Sequence, residues 1–112
     1  MASPSKFAHV VYQTNRFQEL IDWHKTALDA RVVHANDFLC FLTYDDEHHR
    51  VAIAALPDIE GDSVNRHAPG VMHVAYTFDD LGGLLDNYAR LRDAGIKPYW
   101  CINHGPTTSM YY

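Results

Sequence analysis

A short apolar string headed by histidine occurs twice, as HVVY at 9–12 and as HVAY at 73–76, 64 residues further on. The residues downstream of each string are also in register. After His9 comes TNRFQELIDWHKTAL, in which Phe17, Leu20, Ile21, His24 and Leu28 recur at helical spacing. After His73 comes FDDLGGLLDNYARLRDAG, in which Leu81, Leu84, Leu85, Tyr88 and Leu91 recur in the same way. Leu20 and Leu84 each lie 11 residues past their histidine. The repeat therefore carries a strand, a loop and a helix together, which implies a fold built from two copies of one module.

Short β-rich runs come after each helix. In the first half they are ARVVHAN, FLCFLTY and HHRVAIAAL, separated by Asn36-Asp37 and by the acidic turn at 45–47. In the second half they are PYWCIN and TTSMYY, separated by His104-Gly105-Pro106. The first half is read as βαβββ and the second as βαββ, with its fourth strand missing. Thr14 or Asn15 is available to cap the first helix and Asp79 or Asp80 the second, which Gly95 stops. Module one spans about 5–57, a Pro-, Gly- and Asp-rich linker about 57–69, and module two about 70–112, within a single domain. The expected fold class is α+β: two paired βαβββ modules forming a curved mixed sheet around a cavity.

Alternation along a strand puts His9 with Val11 on one face and His73 with Ala75 on the equivalent face. If the modules pair about a pseudo-twofold, both imidazoles point into one cavity. The rival reading is a core histidine in each module. Repetition favours ligands, because a packing need met in one module has no reason to recur at the same register in the other. Two neutral imidazoles and one carboxylate make a facial triad that leaves open positions on an octahedral metal such as Fe(II).

Composition narrows the partners. With 47% hydrophobic residues the 112-residue chain can bury a core, and a net charge of −5 without a basic stripe argues against nucleic acid and membrane surfaces. No apolar run approaches the roughly 20 residues of a bilayer span, and MASPSK lacks a secretory apolar segment, so a cytoplasmic location is expected. Cys40 and Cys101 lie in apolar strand-like runs and are expected to be buried free thiols.

The strings AHVVYQTNRFQELIDWHKTALDARVV, EHHRVAIAAL, VMHVAYTFDDLGGLLDNYARLRDAGI and INHGPTTSMYY, in this order, resemble the vicinal oxygen chelate superfamily. Within it they are most similar to the type I extradiol dioxygenases that open catechols such as dihydroxybiphenyl. The resemblance implies His9 and His73 as metal ligands and His49 as an acid/base residue beside the site. It also implies His104 and Tyr111 as groups that hydrogen-bond the substrate hydroxyl and intermediates. The implied metal is Fe(II), with Mn(II), Zn(II) or Ni(II) as alternatives, and the implied partners are a catechol-like aromatic and dioxygen. Each assignment has a plainer rival: exposed histidines at the start of a strand for His48 and His49, an exposed turn for His104, a core aromatic for Tyr111. His24 and His34 are assigned to packing or partial exposure, Tyr76 to the core and His67 to an exposed loop.

The sequence departs from the family pattern at one point. There, a turn with the character of DPDGN comes after the tyrosine strand, and a last strand then delivers a metal-binding glutamate; this sequence ends at Tyr112. Glu19, Glu47 and Glu60 fall on a helix surface, a turn and the linker, and none is a substitute. A truncated form, completion of the metal's shell by another subunit or solvent, and a chain without iron all stay open. The open sheet edge is expected to drive homo-oligomer formation. Two other functions compete with ring cleavage: a ligand-sequestering module of the bleomycin-resistance type, and a glyoxalase-type metal isomerase or lyase.

Overall fold

The computed structural model describes residues 2–58, 67–105 and 107–112. They belong to two compact units, Met1–Ser63 and Val64–Tyr112. Most of the expected linker, with Glu60, lies outside the described residues.

In the first unit the order is β1 (Val10–Thr14), α1 (Phe17–Leu28), β2 (Arg31–Ala35), β3 (Leu39–Thr43) and β4 (Val51–Ala55). The sheet runs β1-β4-β3-β2, with β1 parallel to β4 and the other pairs antiparallel. The long connection that the parallel pair β1 and β4 requires runs through α1, β2 and β3, and α1 returns its apolar stripe to the sheet. Ile21 of that stripe joins Cys40, Leu42, Val51 and Ile53 in the core, with Val10, Tyr12, Phe17, Leu20 and Leu28 packed around them. Burial alternates along β3 as far as Leu42, with Cys40 and Leu42 fully buried on the helix side, and breaks at Thr43, which is buried as well. Phe41 consequently lies on the other face, opposite Ala52, which in turn pairs with Val11. That second face carries His9, His34 and His49.

Edge strand β2 is exposed along its whole length, and its ladder to β3 shifts register between Val32 and His34. The first helix starts one to two residues later than Thr14 or Asn15 would place it: Arg16 is the cap, without a side-chain hydrogen bond. The Thr14 hydroxyl is already committed, accepting from the Arg16 N–H at 2.9 Å. His24 is buried in the apolar face of α1, as its spacing predicts, and its Nδ1 lies 2.8 Å from the Leu20 carbonyl.

The second unit contains α2 (Leu81–Asp93), β5 (Trp100–Asn103) and β6 (Thr108–Tyr111). Asp80 is the cap of α2, its carboxylate accepting from the Gly83 N–H at 2.7 Å. Gly95, at φ +84, turns the chain out of the helix in the left-handed region that glycine favours. Strands β5 and β6 pair antiparallel, Trp100 opposite Tyr111 and Asn103 opposite Thr108.

Two expectations are corrected here. Residues 71–78 do not form a strand. In the first unit the equivalent β1 is held by β4, and among the described residues of the second unit no strand stands in the place of β4. Period-2 alternation survives, with Val74 and Tyr76 less exposed than His73 and Ala75, but the backbone has no ladder to join. Cys101 is exposed, whereas Cys40 is buried as expected. No helix among the described residues is long and apolar enough to cross a membrane.

Candidate active site

The first unit gathers four rings on the face away from its core. His9 precedes β1, and its ring centroid is 4.2 Å from that of His49, which precedes β4. The His49 ring is also stacked on Phe41, at 4.3 Å and an interplanar angle of 10°. His48 completes the group, its Nδ1 2.8 Å from the Nδ1 of His49 and its ring edge-on to Phe41. Strict alternation from β4 would send His49 to the same side as Val51 and Ile53, into the core. The backbone is bent at 48–50, ahead of the strand, and this frees His49 to lie over Phe41 instead.

A charge cluster fixes that bend. Arg50 grips both oxygens of Asp45, with Nε at 3.1 and 3.0 Å and Nη2 at 2.8 Å. Its Nη1 donates to the carbonyls of Phe7 and Ala8, at 2.5 and 2.9 Å, and its own carbonyl accepts from the Val10 N–H at 3.0 Å. The hydrogen bonds from Arg50, first among several causes, hold the Asp45 carboxyl down at about 2. Glu47 is engaged as well, bonded to the Lys6 ammonium and 4.0 Å from Arg50, and the Lys6 bond lowers its pKa. Burial, then the positive charge that His9 and His48 carry when protonated, lowers the pKa of His49. A neutral imidazole able to accept a proton results.

In the second unit His73 meets Tyr111 edge to face, with ring centroids 6.0 Å apart at 87°. Tyr111 is stacked in turn on Trp100 at 4.9 Å. His104 is exposed in the β5–β6 turn, where its backbone N–H donates to the Thr107 carbonyl at 2.8 Å. Tyr111 sits at the open end of the same hairpin, about 10 Å from the turn at ordinary strand rise. Of the residues singled out in the sequence, the structure thus brings His9 to His49 and His73 to Tyr111, and sets His104 apart from Tyr111.

The description matched by residues 6–112 is that of the glyoxalase/bleomycin resistance protein/dioxygenase superfamily. The chain belongs to this superfamily. As a superfamily member it is 52% identical over all 112 residues to biphenyl-2,3-diol 1,2-dioxygenase 2 of Rhodococcus globerulus, and 44% identical over 115 aligned positions to biphenyl-2,3-diol 1,2-dioxygenase 3 of the same organism. It spans 58% and 59% of the lengths of those two relatives. Its fold is similar to that of the lactoylglutathione lyase of Agrobacterium tumefaciens, at a TM-score of 0.66 and 11% identity over 93% of this chain and 81% of the lyase. It is also similar to an integron cassette protein from the mobile metagenome of V. cholerae, at a TM-score of 0.63 and 13% identity over 96% of this chain and 84% of that one.

For a metal-using member of the superfamily, the donor chemistry is suitable but short. His9 and His73 each offer an exposed imidazole at the head of a repeat. Among the described residues no group of three His, Cys, Asp or Glu is placed to hold a metal ion. Glu47 is tied to Lys6 and Arg50, and Glu19 lies exposed on α1 beside Arg16. Phe41 carries no signal in motif or repeat, and although His48, Arg50 and the acidic turn at 45–47 stand in quoted strings, their bonds to His49 and to each other do not show there. What could have found Phe41 is its odd position in FLCFLT, which alternation places opposite Cys40 and Leu42.

Proposed function

We propose that this chain acts in extradiol cleavage of a catechol-like aromatic by dioxygen, with His9 and His73 as two ligands of an Fe(II) ion. The third ligand of that ion is not among the described residues. The observation that carries the reading is the contact of His9 with His49 at 4.2 Å in a chain 52% identical to a biphenyl-2,3-diol dioxygenase. A ligand and a proton acceptor are adjacent, as a reaction that ionises a bound hydroxyl needs.

When bound, the metal supplies charge that favours the ionised diol and a template on which the two reactants are oriented. The protein's own residues do the rest. His49, whose pKa is lowered first by burial, takes a proton from a substrate hydroxyl. Phe41 holds the plane of that imidazole by stacking, so the ring keeps its orientation as it gains charge. Tyr111, braced by Trp100, offers its hydroxyl to the substrate oxygen, and His104 serves from the β5–β6 turn.

A second reading rests on the superfamily itself, whose description includes bleomycin resistance proteins: a module that holds an aromatic ligand without turning it over. One assay separates the two. The protein is loaded anaerobically with Fe(II), mixed with biphenyl-2,3-diol and then given oxygen. Appearance of a yellow ring-opened product supports cleavage, and saturable ligand binding without oxygen uptake contradicts it in favour of sequestration.

A further inference from the structure

We propose that His48 is a positioning residue that fixes which ring nitrogen of His49 carries hydrogen. The inference rests on the reading of His49 as the proton acceptor. The two Nδ1 atoms are 2.8 Å apart, so one donates and the other accepts. A neutral pair has two arrangements. If His49 donates from Nδ1, its Nε2 is a bare lone pair able to take a proton. If it accepts at Nδ1, its Nε2 carries hydrogen and the ring cannot act as a base there.

The surroundings select the first arrangement. His48 is exposed, so an N–H on its Nε2 finds water readily, whereas His49 is only partly exposed and has Phe41 and His9 packed against it. A donor with few acceptors is the costlier group to leave there. Phe41 locks both rings, face-on to His49 at 10° and edge-on to His48 at 75°, while the two imidazoles stand at 85° to each other. A perpendicular pair of this kind directs one ring's nitrogen edge at the other's. His48 then does for His49 what an outer-shell partner does for a ligating histidine: it sets tautomer and orientation without touching the substrate.

The test uses metal-free protein labelled with 15N at histidine, so it does not depend on loaded activity. Long-range 1H–15N spectra are expected to show His49 with its hydrogen on Nδ1 in the wild type. In His48→Ala that hydrogen is expected to move to Nε2, and in His48→Asn, whose side-chain oxygen can accept in place of the imidazole, to return to Nδ1. On a catechol, kcat is expected to fall roughly 10–100-fold in His48→Ala with KM unchanged, and to recover in His48→Asn. An unchanged His49 tautomer in His48→Ala overturns the proposal even if the wild type cleaves catechols. A tautomer that moves and is rescued sustains it even if no cleavage occurs, in which case the dioxygenase reading alone fails.

Discussion

Arg50 holds the backbone on both sides of His9: its guanidinium binds the carbonyls of Phe7 and Ala8, and its own carbonyl accepts from the N–H of Val10. The side chain at the head of the first repeat is thereby tied to the residue that comes after His49. Asp45 keeps the guanidinium in place from the other side.

Arg50→Lys retains the charge but loses the planar fork that reaches Asp45 and two carbonyls at once. Weaker Fe(II) binding is expected, by roughly 10–100-fold, with the far-UV circular dichroism unchanged. Anaerobic titration of both proteins measures it, and equal affinities would separate Arg50 from the site.

Asp45 has its pKa lowered from 3.8 to about 2, so it binds a proton less readily folded than unfolded. Its contribution to stability is complete above pH 3.8 and is lost as pH falls towards 2. Asp45→Asn should lower the denaturation midpoint at neutral pH and flatten the acid limb of the stability curve over that window. Urea melts from about pH 2 to about pH 6 give the comparison.

His24 titrates in the opposite sense from a salt-bridged histidine. Burial lowers its pKa below 6.5, outweighing the bond to the Leu20 carbonyl, which raises it. Below pH 6.5 the unfolded chain takes up the proton first, so stability declines as pH falls from 6.5 towards the folded value and then levels off. His24→Leu should lessen that decline, leaving the part His49 contributes in the same sense, as Tm measured at about pH 7.5 and about pH 5.5 would show.

Much of the architecture was legible in the sequence, and the failures share a physical cause. Helices α1 and α2 announced themselves by the spacing of Leu20, Ile21 and Leu28 and of Leu84 and Leu91, and the five strands downstream of them by alternation between turn residues. Alternation reports what a segment can do, and pairing requires a partner; residues 71–76 had the first without the second. Cys101 was misplaced for a related reason, since its two-stranded sheet leaves it exposed where Cys40 is covered by α1. The pair His9 and His49 was visible as two strings, but the route by which His49 reaches Phe41 was not. A bend at 48–50, fixed by Arg50 and Asp45, breaks the register that a periodic reading assumes. Likewise, no spacing rule signals two adjacent imidazoles sharing a hydrogen.

The difference between the repeats is measurable in solution. Amides of Val51–Ala55, inside the four-stranded sheet, should exchange hydrogen only through global opening, whereas those at 71–75 should open at a free energy near zero. Native-state exchange followed by mass spectrometry resolves the two. Strong protection at 71–75 would mean that this segment is paired.

The central claim, that one ion is shared by an imidazole from each repeat, is tested most directly by anaerobic Fe(II) titration of the wild type, His9→Ala, His73→Ala and the double variant. One ion per chain is expected in the wild type. Each single substitution should weaken binding by more than the roughly 10–100-fold that loss of an outer-shell partner costs, with little further loss in the double variant because one site is already broken. Unchanged affinity in either single variant, or losses that simply add as for two separate sites, would contradict it.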